Sequence, residues 1–219
     1  MDFEVMGAYI PRFTEALWLT LRVGWLGILL AFFVGTITSA AQYFKIPVLR
    51  RIAGVYIEIF RNTPLLVQLF FFYYGLPAIG LNISEEVCGI IGIGLLGGSY
   101  MAESLRSGLE SVPVSQTESA LALGMGRAKL FVLIVLPQAF ALSIPSLVAN
   151  VIFLLKETSV FSAISLMDLM FTAKDLIGLY YDTSEALVLL VIFYMIMILP
   201  VSVAGRIFEK RMRGRIYGI

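Results

Sequence analysis

The chain has 219 residues, of which 59% are hydrophobic and 14% charged, against about 45–50% and about 25% in soluble domains, and its mean hydropathy of +0.92 points to a bilayer as its solvent. Lys and Arg number 16 and Asp and Glu 15, so the net charge of +1 provides no concentrated basic face for nucleic acid. Without histidine and with one cysteine, Cys88, the chain excludes internal disulfides, Cys/His zinc sites, Ser-His triads and the HExxH protease pattern; Cys88 lies in an apolar, glycine-rich stretch and reads as a packing residue.

A membrane-crossing helix needs about 20 mostly apolar residues for about 30 Å of hydrocarbon. Five segments qualify, at 16–41, 52–76, 87–105, 130–155 and 186–205, and together they form one membrane domain over 1–219. The first carries one charge, Arg22; the second carries Glu58 and Arg61 near its start; the third is short unless Glu103 and Arg106 belong to its end. The fourth and fifth are free of charge. The acidic start, Asp2 and Glu4, and the length of the first apolar run read as a retained helix rather than a cleaved leader.

Orientation follows from the basic residues, which stay on the cytoplasmic side. Lys45, Arg50 and Arg51 follow span one; Arg106, Arg127 and Lys129 follow span three; Arg206, Lys210, Arg211, Arg213 and Arg215 follow span five. The expectation is an N-terminus outside and a C-terminus in the cytoplasm. The outer loop between spans four and five mixes Leu166, Met167, Leu169, Met170 and Phe171 with Asp168, Asp175 and Asp182, and is both acidic and amphipathic.

Gly92-Ile93-Gly94-Leu95-Leu96-Gly97 matches GxGxxG, but it lies inside a spanning segment rather than after a soluble strand, and small residues there serve close helix packing. No GxxxxGK[ST] phosphate loop occurs, so any ATP used in transport must be bound by another subunit. Glu58 and Arg61 are three residues apart on one helix face and can pair; Asn62-Thr63-Pro64 follows at once, and the proline bends the helix. Ser115-Gln116-Thr117-Glu118 reads as a capping box that starts a short amphipathic helix over about 115–128, with Ala120, Leu121 and Leu123 as apolar contacts and Gly124 and Gly126 at a sharp bend. On its residues alone, that helix could equally rest on the membrane surface. Pro137 and Pro145 kink span four, as in the broken helices that line transporter cavities.

The stretch Glu118-Ser119-Ala120, Gly124 and Ile134-Val135-Leu136-Pro137 closely resembles the EAA-loop signature of permease subunits in bacterial ABC importers. The run from Tyr56 to Phe70, with Pro137-Gln138-Ala139 and Lys156-Glu157-Thr158-Ser159, looks like the polar amino acid branch of that family, and the resemblance extends from about Ala16 to Arg211. It implies an all-α membrane protein of about five spans with the type I importer permease fold, in the bacterial cytoplasmic (inner) membrane. It further implies a second permease, identical or homologous, two ATPase subunits that bind ATP and Mg, an external amino-acid-binding protein, and no cofactor or catalysis in this chain. Glu118, Ser119, Ala120, Gly124, Met125 and Gly126 would couple to the ATPase; Glu58, Arg61, Gln68 and Asn150 are candidates for the substrate pathway. Ser119 departs from the signature's alanine, Ser115 and Asn62 stand where glycines are usual, and Val151 stands where some relatives have a ligand-contacting glutamate, which leaves open whether substrate binds here or in the partner. The rival reading from another class is an ion-gradient-driven transporter, which would want acids near mid-membrane that spans three to five hardly offer.

Overall fold

The computed structural model describes residues 2–217, with side chains through Met212. The elements across that range are all helical: α1 (Phe3–Tyr43), α2 (Pro47–Arg61), α3 (Leu65–Phe70), α4 (Glu85–Glu110), α5 (Val114–Ala122), α6 (Arg127–Leu130), α7 (Leu136–Glu157), α8 (Leu169–Tyr180) and α9 (Thr183–Tyr217). Among the described residues, four stretches are long and apolar enough to cross a membrane: Phe3–Tyr43, Glu85–Glu110, Arg127–Ile164 and Thr183–Met212. Arg213 and Arg215, used in the orientation reading, have side chains outside the described set.

The expected second span, 52–76, is not one helix. α2 stops at Arg61, the chain breaks over Asn62–Pro64, and α3 continues through a π-helical turn (Phe71–Gly75) into a 3-10 turn (Leu76–Ile79). Pro64 has no N–H and pushes Thr63 away from helical geometry, so the helix cannot run through. Polar side chains supply what the break removes. The Asn62 amide donates to the Glu58 carbonyl at 2.8 Å, the Thr63 hydroxyl to the Ile59 carbonyl at 2.7 Å, and the buried Gln68 amide to the carbonyls of Phe60 and Thr63 at 3.1 and 2.9 Å.

The first span is far longer than 16–41. Asp2 caps it by accepting from the backbone N–H of Glu4 and Val5, and the added turns are held by Met6 and Phe13, which pack with Leu169, Leu176 and Phe193 of α8 and α9. Span four likewise runs on from α6 through a π-helical turn at Phe131–Val135 and out through a 3-10 turn at Thr158–Ile164. That π turn lies immediately before Pro137, where a regular helix would lose a hydrogen bond.

α4 lies at the centre, packed on α1, α7, α2 and α3. Lipid is as apolar as leucine, so helices here associate through close packing, and small residues make it possible. A Cβ on Gly97 would fall 2.5 Å from Leu154 and 2.8 Å from the Ala31 methyl, and one on Gly27 would fall 2.6 Å from Ile93. The glycine run is therefore a packing surface, as its place in a span implied. Around it, Val23, Leu65, Leu69, Ile93, Leu154, Leu155 and Phe161 form the main core.

The 157–185 connection is ordered into the 3-10 turn and α8. Asp168 caps α8: its carboxylate accepts from the Phe171 N–H at 2.8 Å, while its second oxygen is buried without a partner. Beside it the Thr20 hydroxyl accepts from the Leu169 N–H at 3.2 Å, tying α8 to α1. Burial pushes the Asp168 carboxyl up to about 7, against the opposing pull of the backbone donors and Lys174. The folded chain thus keeps a proton that the unfolded chain loses near 3.8, so this group's contribution to stability is complete below that value and disappears as pH rises through 7. Asp168→Asn preserves the cap and removes the titration. Thermal unfolding in detergent across this range should show the wild type losing stability relative to the variant as pH rises; a pH-independent difference would contradict this.

Candidate functional site

Two regions gather the residues singled out from the sequence. The first is a polar seam between α2, α4 and α7. Arg61, the last residue of α2, lies 3.4 Å from Glu103 of α4, and its guanidinium sits 5.2 Å from the centre of the Tyr100 ring, a cation–π distance. Glu103 in turn accepts two hydrogen bonds from Arg106, at 3.1 and 3.0 Å, and Arg106 grips Glu110 through two contacts of 2.8 Å. One turn away the Asn150 amide donates to the Ser104 hydroxyl at 2.9 Å, joining α7 to α4, and Phe153 packs against Tyr100 with ring centres 5.3 Å apart. Glu58, Arg61, Asn62, Ile57 and Tyr100 line a cavity of about 340 Å³.

Arg61 is therefore not paired with Glu58 as the three-residue spacing suggested. The Glu58 carboxylate accepts from the Asn62 amide at 3.0 Å, and Arg61 at the helix end reaches across to α4 instead. Gln68 does not line this cavity; its amide is engaged by the backbone of the break. Glu103, Tyr100 and Ser104 were missed as site residues. Glu103 and Arg106, three apart at the end of an apolar run, were the available signal.

The second region is α5 with the turn that follows. Its N-cap is Pro113, not Ser115: with φ −59° and ψ 133° the proline sets an extended entry, the helix begins at Val114, and Ser115 already lies within its first turn without capping it. The expected capping box is absent for that reason. The C-terminal end matches the glycine-based stop. The Gly124 N–H donates to the Leu121 carbonyl at 2.9 Å and the Met125 N–H to the Ala120 carbonyl at 3.1 Å, the two bonds of a Schellman motif, with Gly124 at φ +77°. A Cβ there would meet nothing within 4 Å, so the demand for glycine is one of backbone conformation rather than space. Ala120 is buried with Met125, Val112, Leu130 and Val135 against α6 and α7, which anchors the helix by one face. Glu118, Ser119, Val114, Leu121 and Leu123 are exposed on the rest, Leu123 at 83%. Gly126 opens α6.

Residues 17–214 match the family model described as the binding-protein-dependent transport system inner membrane component. The chain belongs to this family. It is a multi-pass membrane permease, and it is 34% identical to the Bacillus subtilis protein named "Probable glutamine ABC transporter permease protein GlnP", over 96% of this chain and 99% of the relative. It is 32% identical to the L-cystine transport system permease protein TcyL of the same organism, over 97% and 92% of the two chains. A solved structure described as an amino acid ABC transporter with histidines superposes with a TM-score of 0.90 at 32% identity, covering 96% of this chain and 99% of the other. The fold is thus shared with that amino acid ABC transporter.

Gln68 tests how that break is held. Gln68→Leu has nearly the same bulk but leaves two carbonyls without their donor, at a cost of about 1–3 kcal/mol for each buried group left unsatisfied. The expected result is a lower thermal midpoint with faster amide exchange across 58–68; unchanged exchange would show that the bridge is dispensable.

Proposed function

We propose that this chain is the permease subunit of an ATP-driven importer that carries a polar amino acid across the cytoplasmic membrane by alternating access. The reading rests above all on α5. A short helix anchored by Ala120, stopped by a glycine-dependent turn and exposing Leu121 and Leu123 to solvent is a docking element without its partner. Two ATPase subunits, which bind ATP and Mg, would receive it through Glu118, Ser119, Ala120, Gly124, Met125 and Gly126. The basic residues after spans one, three and five support a topology with α5 and the C-terminus in the cytoplasm and the N-terminus outside. A second permease, identical or homologous, completes the pore, and an external binding protein delivers the substrate.

The relatives named for glutamine and cystine support an amino acid as cargo. The polar seam suits one. Glu58 and Arg61 present opposite charges to the same cavity, which fits the ammonium and carboxylate of a zwitterion, and Asn150 lies on the adjoining α4–α7 contact. Gln68 contributes by holding the break that aims Arg61. As the ATPases close, force on α5 would pass through the Ala120 cluster to α6 and α7.

Two measurements test this. Gly124→Val forces a β-branched residue into a left-handed turn, whereas Gly124→Asn tolerates it. Both should insert normally; uptake should fall to background in the valine variant and persist in the asparagine variant, and equal uptake in both would sink the coupling role. Mild-detergent purification followed by mass spectrometry should recover the chain with an ATPase pair. Recovery of the chain alone, still competent for ion-driven transport, would favour the gradient-driven reading.

A further inference from the structure

A groove of about 900 Å³ runs between α1, α4, α7 and α9, walled by Trp25 and Phe32, by Phe140 and Val151, and by Pro200 and Ile207. Its lining is apolar except at one end, where it terminates on Arg211, the single charged residue among the described ones that line it. Arg206 and Lys210 are exposed on the same end of α9. None of the described residues that line it is an acid. Gly205 lets α9 lie directly against Val148 of α7, which forms the floor.

We propose that this groove is a binding site for an anionic glycerophospholipid, its acyl chains along the apolar walls and its headgroup on Arg211. The dimensions match one leaflet. From Pro200 to Arg211 the helix rises about 16 Å at 1.5 Å per residue, half of a hydrocarbon core of about 30 Å. The position of the charge matches as well, because a cation at the end of a leaflet-length apolar wall lies at headgroup depth, where arginine extends its guanidinium towards phosphate. A second copy of the chain fits the groove poorly. A two-fold contact centred here would bring two Arg211-bearing ends together with no acid in the lining to offset them. The groove is also separate from the polar seam: the two share no residue, and α2, which carries Glu58 and Arg61, takes no part in its wall. Failure of the lipid site would leave the transport reading untouched.

Trp25 reports on the groove directly, since the chain has only two tryptophans. With Trp18→Phe in place, the full chain would be reconstituted in bilayers containing either dibrominated phosphatidylglycerol or dibrominated phosphatidylethanolamine at equal mole fraction. The expected result is that phosphatidylglycerol quenches Trp25 at about fivefold lower mole fraction, with the advantage lost in Arg211→Gln and in high salt. Equal quenching by the two lipids, or by neither, overturns the proposal: the first describes an unselective lipid annulus, the second a groove covered by protein. Native mass spectrometry of the chain with both tryptophans intact provides the second measurement. Retained phosphatidylglycerol that disappears in Arg211→Gln supports the site, and retention equal in both forms refutes it.

Discussion

No water reaches the middle of a bilayer to satisfy a backbone group, and the architecture of this permease follows from that constraint. Four long helices meet it by satisfying their own hydrogen bonds. The second apolar segment cannot, because Pro64 interrupts it, and the chain answers with side chains. Asn62, Thr63 and Gln68 together serve the carbonyls of Glu58, Ile59, Phe60 and Thr63. A broken helix in lipid therefore comes with its own polar supports, and those supports fix where α2 ends.

The position of that end is what makes a site. Arg61 is carried to the surface of α4, where Tyr100 lies one turn before the adjacent Glu103 and Ser104, and Arg106 extends the pairing to Glu110. Charges in a membrane are tolerated when they are paired, and this seam pairs them beside a cavity of about 340 Å³. Its members come from α2, α4 and α7, which touch mainly through α4. The glycine face of α4 seats this central helix by close backbone approach, while Tyr100, Glu103 and Ser104 of the same helix meet groups from α2 and α7.

Towards α5 the organisation differs. Here anchoring is confined to a small cluster around Ala120, Leu130 and Val135, and the remaining helix surface is exposed. One buried face and one free face are what a connector between two bodies requires. The Schellman turn at Gly124 then redirects the chain into α6 through a bend whose geometry is set by two backbone hydrogen bonds.

Composition and hydrophobic runs made the membrane class, the approximate spans and the glycine packing face legible, since these depend on local chain chemistry and the bilayer's fixed thickness. The EAA-like stretch was legible for a similar reason: a glycine at a left-handed turn, a short helix before it and a proline after it are local demands. Partnerships were not. Spacing brought Glu58 and Arg61 together, whereas the fold gives Arg61 to Glu103, forty-two positions away, because a residue at a helix end is free to choose a neighbour on another helix. Ser115 offered a cap that Pro113 made unnecessary, and the second span, read as one helix bent at Pro64, is broken there into two. Sequence alone determined what this chain dissolves in and where its backbone must turn; which polar groups meet within it was decided by helix packing, which depends on distances between segments far apart in the chain.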